Sequence, residues 1–174
     1  MIKLTPHSSN NCLKTSVYVS YSIIKETIVI DFNVVTPKLC TSSDFSIDSY
    51  SNWQLWDFDV TEVFISRGLC NSYLELQVSP LGQKFSLLIH KPREITEEFT
   101  PLLSKIEAFK TDDGFSSKFM INVADIPGKG NDIYANFFAC LGDSENRNYF
   151  GYKLKQVGSP DFHQPSLFQK LGTI

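Results

Sequence analysis

The sequence predicts an all-β fold, an antiparallel β-sandwich of two sheets, with residues 1–174 forming one domain. Three observations carry that expectation. Apolar and polar residues alternate with period two along much of the chain, the pattern of strands with one buried face. Short turn signals separate these runs at close intervals. Aromatic residues make up 13% of the chain, with 14 Phe and 7 Tyr, and such side chains suit a pleated, half-buried surface. Strands of this kind must pack their buried faces on a second sheet.

The elements follow in order. The run "TSVYVSYSII" sets Val17, Val19, Tyr21 and Ile23 against Tyr18, Ser20 and Ser22. The run "ETIVIDFNVV" sets Ile28, Ile30, Phe32 and Val34 against Asp31 and Asn33. Only "KE" separates the two, so they read as a hairpin. A polar Ser/Asp-rich loop spans about 37–52. The strand "DVTEVFIS", the turn "RGLCN" and the strand "SYLELQVSP" come next. The last of these turns Leu74, Leu76 and Val78 to one face and Tyr73, Glu75 and Gln77 to the other. "PLGQ" reads as a turn and "KFSLLIHK" as a strand. "PREITEEFTPLLSK" breaks the pattern and suits a short helix or a loop. "KIEAFKT", "DDG" and "FSSKFMINVADI" read as strand, turn and strand, with Asp-Gly as the hairpin signal. "IYANFFACLG" and "NYFGYKLK" are strands joined by the turn "DSENR", which leaves "QVGSPDFHQPSLFQKLGTI" as a tail. The count is about nine strands.

Hydrophobic content is 42% and charged content 20%, the balance of an ordinary globular chain. The net charge is −3, and basic segments such as "HKPRE" are short and mixed in sign. That argues against a nucleic-acid surface, which needs Lys and Arg gathered on one face, and against an anionic membrane. No apolar run approaches ~18 residues, so no membrane span is expected. "MIKLTPHSSNN" lacks the apolar stretch of a signal peptide. The chain therefore reads as cytoplasmic, or as periplasmic or secreted if a leader was removed. Cys12, Cys40, Cys70 and Cys140 form no C-x-x-C pair and read as isolated buried thiols.

Candidate chemistry gathers around "WQLWDFDVTEVFIS", residues 53–66, which holds both tryptophans and three carboxylates. Glu62 and Glu75 fall on neighbouring strands with parities that can share a face. Two such carboxylates could serve glycoside hydrolysis, although hydrogen bonding to water, to a cation or to a neutral ligand is the commoner role. Asp57, Asp59 and Glu62 supply hard oxygen ligands for calcium without the spacing of a calcium loop, and Asp112, Asp113, Asp143 and Glu145 sit in ordinary acidic turns. His7, His90 and His163 give no zinc spacing, and no nucleophile elbow or phosphate loop is present. The remaining candidate is stacking. Trp56 lies three positions after Trp53, so on strand parity at least one belongs at a loop rim. Phe162 supplies an aromatic ring from the tail. A pyranose packs its C–H face on such rings, and Glu62, Gln77 and Asn136 could then meet its hydroxyls.

The segments "LWDFDVTEVFIS", "YLELQVSPLG", "YANFFACLG" and "DFHQPSLFQKL" fall in an order that resembles carbohydrate-binding module family 9, part of the wider DOMON-like group. The resemblance covers about residues 55–171. It implies a two-sheet sandwich that binds a mono- or oligosaccharide, often at a chain end, and does no chemistry. It also implies that Trp56 is one wall of a sugar clamp, that Phe162 stands where the family has a second tryptophan, and that Glu62 is the acidic partner. Gln77 matches a polar position on the following strand, and Tyr152 falls near an "AW" step of the family. A phenyl ring offers less area than an indole, so the expected clamp is narrower. Some members bind calcium, and no complete ligand set matches here; no other cofactor is expected. Two alternatives remain from the same scaffold. One is a protein-interaction domain that lost the clamp. The other is a haem-binding electron-transfer domain using Met120 with His90 or His163.

Overall fold

The period-two runs pair as antiparallel ladders in a computed structural model that describes residues 1–11, 14–94 and 96–174. Cys12 lies outside the described residues. In chain order the strands are β1 (Ile2–Lys3), β2 (Thr5–Pro6), β3 (Ser16–Ile24), β4 (Thr27–Val35), β5 (Val60–Arg67), β6 (Tyr73–Val78), β7 (Lys84–Ile89), β8 (Thr96–Glu98), β9 (Lys105–Thr111), β10 (Gly114–Asn122), β11 (Asp132–Leu141), β12 (Asn148–Gly151) and β13 (Gln169–Thr173). The smaller sheet runs β1-β3-β4-β10-β9. The larger runs β2-β12-β11-β5-β6-β7-β8, with β13 also paired to β11. The fold is the expected antiparallel β-sandwich. Three single-turn 3₁₀ segments, at Leu55–Asp57, Val123–Asp125 and Pro165–Leu167, are its helical content among the described residues, and none is long enough to cross a membrane.

Three elements differ from the sequence reading. Part of the segment expected to be helix or loop is the edge strand β8, which pairs with β7. The strand expected from "NYFGYKLK" stops at Gly151, and the tail ends in β13 on the neighbouring stretch of β11. The period rule misses these pieces because they are short and irregular; a bulge between Ile133 and Tyr134 breaks the β13 register. Cys40, Cys70 and Cys140 are unpaired as expected, but Cys140 alone of the three is buried.

The main core fills the space between the sheets. Val17, Val19, Ile28, Ile30, Phe32 and Val34 meet Val63, Ile65, Leu74, Leu76 and Phe137 there. Thr61 and Ser117, also buried, share a hydrogen bond of 2.6 Å. A second apolar cluster lies on the outer face of the larger sheet: Val60, Phe64, Tyr73, Phe85, Leu87, Ile89 and Phe138, with Leu55 and Phe168 packed among them. The loop 37–59 and the tail 154–168 cover this face. Every residue of β6 is therefore buried, and every residue of β5 up to Ser66. Polar residues that alternation alone would turn toward water are enclosed instead.

Candidate functional site

Residues of even number on β5 and β11, and of odd number on β6 and β7, point to the outer face. The pairing register lines them up in rows. One row reads Phe138, Glu62, Gln77, Phe85 across four adjacent strands. With neighbouring strands about 4.8 Å apart, its ends lie roughly 14 Å from each other. The next row reads Asn136, Phe64, Glu75, Leu87. Acid and amide groups thus sit mid-sheet with aromatic rings at both sides.

Each aromatic end carries a further ring from a loop. Phe162 stacks on Phe138 with ring centres 4.1 Å apart and planes at 10°. Trp56 meets Phe85 at 5.2 Å, and Trp53 meets Trp56 edge-on at 4.9 Å. Between them opens a cleft of about 1050 Å³ whose lining includes Trp53, Trp56, Glu62, Glu75, Gln77 and Phe162. The structure therefore brings together five of the residues singled out from sequence: Trp56, Phe162, Glu62, Glu75 and Gln77. Trp53 is the more exposed indole, at 54%, which fits the rim position expected for one of the pair.

Two others are not brought to the cleft. Asn136 lies on the outer face as its parity requires, yet its amide donates to the Lys153 carbonyl (2.8 Å) and accepts from the Lys153 and Phe137 N–H groups. It clips the chain after β12 onto the sheet, which takes both acceptor sites of its oxygen and one of its two N–H donors. Tyr152 is on the other side of the sheet, stacked on Phe137 at 5.8 Å against the inter-sheet core. The candidate haem ligands do not converge either. Met120 alternates with core residues Phe119 and Ile121 and so faces outward from the smaller sheet, whereas His163 lines the cleft on the opposite side of the sandwich. Asp57, Asp59 and Glu62 are dispersed, and no three His, Cys, Asp or Glu among the described residues are grouped to hold a metal.

The Trp56 turn is held by polar contacts from several elements. Gln54 adopts φ +67° and starts the 3₁₀ turn whose Leu55 is fully buried. Asn52 binds the Ser46, Ser49 and Lys84 carbonyls, and Gln83 binds those of Ser42 and Phe45, so the loop is tied to β7. Asp59 accepts from the Cys40 and Gly142 N–H groups at 2.8 and 2.6 Å. Arg147 donates to the carbonyls of Trp56, Phe58 (2.8 Å) and Gly142. The Phe162 wall is fixed in the same way. Asp161 accepts from the His163 N–H, the Gln164 amide and Arg93. The His163 ring nitrogen Nδ1 shares a 2.7 Å hydrogen bond with the Tyr73 hydroxyl, whose residue is fully buried.

Sequence reasoning passes over Arg147, Arg93 and the Tyr73–His163 pair. Arg147 lies in "DSENR", which reads as a turn. The outward parity of Tyr73 and the histidine of "DFHQP" were the available signals for the pair.

The floor is electrostatically unusual. Gln77 donates its amide to Glu75 Oε1 at 2.7 Å, while Glu75 Oε2 and Gln77 Oε1 are buried without a partner. The Cys140 thiol lies 3.7 Å from Glu62 Oε1. Burial pushes the Glu62 carboxyl up to about 8, assisted by repulsion from Glu75 and opposed by Arg147. Burial likewise pushes Glu75 up to about 7, against the hydrogen bond from Gln77. Each carboxylate that ionises makes the other harder to ionise.

The fold is similar to that of solved carbohydrate-binding modules of family 9. A candidate carbohydrate-binding protein from Bacteroides uniformis superimposes with a TM-score of 0.74 at 16% identity, over 97% of this chain and 85% of its own. A family 9 module from Caldicellulosiruptor kristjanssonii does so in complex with glucose (TM-score 0.62, 15% identity, 96% and 82% covered) and with cellotriose (0.65, 15%, 97% and 80%). In sequence the chain is similar to the human UPF0462 protein C4orf33, 28% identical over 116 residues, 63% of this chain and 56% of that protein. The mouse homologue is 28% identical over 122 residues, 67% of this chain and 62% of its own. The chain thus spans about three-fifths of the length of these curated relatives. No protein-family model matches it.

Proposed function

We propose that this domain binds a mono- or oligosaccharide without catalysing a reaction. The observation that carries the reading is the row Phe138–Glu62–Gln77–Phe85 with Phe162 and Trp56 packed at its two ends. Aromatic faces would cover the C–H faces of a sugar ring, and the acid–amide floor would accept its hydroxyl protons. The neighbours solved with glucose and cellotriose support this by analogy of fold. A charge-assisted hydrogen bond is worth about 1.5–3 kcal/mol, and burying one ring face contributes a similar amount. After ordering and desolvation, roughly 4–8 kcal/mol remains, a millimolar to micromolar affinity.

The pair Glu62 and Glu75 suits recognition better than hydrolysis. Both carboxyls are buried in the cleft floor, and Glu75 is held there by the Gln77 amide, an arrangement suited to meeting a ligand's polar groups. The test is calorimetry against a panel of mono- and oligosaccharides with the wild type and Trp56→Ala, each checked for folding by its thermal melt. Binding that weakens at least about tenfold in the variant is expected. No binding tighter than ~10 mM by any member of the panel contradicts the reading.

A further inference from the structure

The cleft is short of positive charge. Five carboxylates line it (Asp57, Glu62, Glu75, Asp143 and Asp161) against two guanidiniums, Arg93 and Arg147. Arg93 is ion-paired to Asp161 at 2.6 Å. Arg147 directs its N–H groups at three main-chain carbonyls. Burial holds His163 toward its neutral form. Among the described residues neither Glu62 nor Glu75 is ion-paired.

Hydrogen bonding is equally one-sided. Glu75 and Gln77 line the cleft at 4% and 2% exposure, and their buried oxygens Oε2 and Oε1 have no hydrogen-bond partner. The amide nitrogen of Gln77 spends one of its two N–H groups on Glu75. What the floor leaves unpaired is mainly acceptors. Aromatic rings flank it, and their faces attract cations.

We propose that the group bound over Glu62, Glu75 and Gln77 is a protonated amine, so that the cleft selects an amino sugar with a free amino group over the neutral hexose. This rests on the carbohydrate reading above. An ammonium brings three donors and no acceptor. It therefore matches Glu75 Oε2, Gln77 Oε1 and a Glu62 oxygen, and its charge draws the two carboxyls, which burial holds wholly or partly protonated near neutral pH, into their ionised forms. A hydroxyl brings one donor, together with lone pairs that face other acceptors. Charge-assisted bonds are roughly twice as strong as neutral ones. N-acetylation removes the charge and leaves a single N–H.

The experiment is calorimetry at neutral pH with glucosamine, N-acetylglucosamine and glucose, on the wild type and on Glu75→Gln and Glu62→Gln. Glucosamine is expected to bind at least about tenfold more tightly than the other two, with that ratio collapsing toward one in the variants. Glucose binding as tightly as glucosamine overturns the amine preference and leaves the carbohydrate reading standing. A preference that survives in both variants also overturns it. Failure of all three sugars and their oligomers to bind overturns both. Should a variant not fold, salt decides on the wild type: glucosamine affinity falls with ionic strength while glucose affinity holds, and equal responses contradict the inference.

Discussion

Glu62 and Glu75 are buried on both sides by neighbours that give them little compensation, and the fold carries that cost where a ligand could offset it. Both carboxyls titrate higher in the folded chain than their ordinary 4.5. The folded state thus holds protons that the unfolded state releases. Their contribution to stability is complete below about pH 4.5, and it is lost as pH rises through about 7 and about 8. Glu62→Gln keeps the shape and removes one titration. Thermal melts across this range should show the wild type losing stability as pH rises, and the variant losing less. Above pH 8 the variant should exceed the wild type by on the order of 2 kcal/mol. Identical pH slopes would contradict the account. The same residues show what the sequence disclosed at this scale. Parity lets Glu62 share a face with Glu75 and Gln77, and the structure places the three on one face with Asn136 beside them. Parity carries no information on what lies above that face, so it does not separate Asn136, sealed under Lys153, from Gln77, open to the cleft.

Among the elements, the cleft walls depend on loops held by main-chain contacts. Arg147 joins the Trp56 turn to the turn between β11 and β12 through three carbonyls. A lysine has a single nitrogen and no planar fork. Arg147→Lys should therefore cost about 1–3 kcal/mol in thermal or denaturant unfolding and speed hydrogen exchange of the amides at 53–59. Wild-type stability with unchanged exchange would show that the clamp is unimportant. Long strands were legible because alternation over seven or more residues leaves one solution, as in β3, β4 and β10. The site-bearing loops were not, because their geometry comes from side-chain to backbone bonds between positions as distant as Arg147 and Trp56, or Asn52 and Lys84. Nor was β13, whose ladder on β11 is short and bulged.

At the scale of the whole molecule, the larger sheet serves two purposes. Its inner face closes the sandwich core, and its outer face carries a second cluster that two long segments roof without filling. The core gives those outer side chains rigid strands to stand on, which favours recognition by preformed geometry. In the proposed function a saccharide enters between Trp56 and Phe162 above the Glu62–Gln77 floor. The chain's two tryptophans make this directly readable, since an amide–proton correlation spectrum holds one indole signal from each. Titration with glucose, glucosamine and cello-oligosaccharides should shift the Trp56 indole and the Gln77 side-chain amide together and saturably. Indole and amide signals that stay in place through tens of millimolar of every sugar, or shifts confined to the smaller sheet, would contradict it.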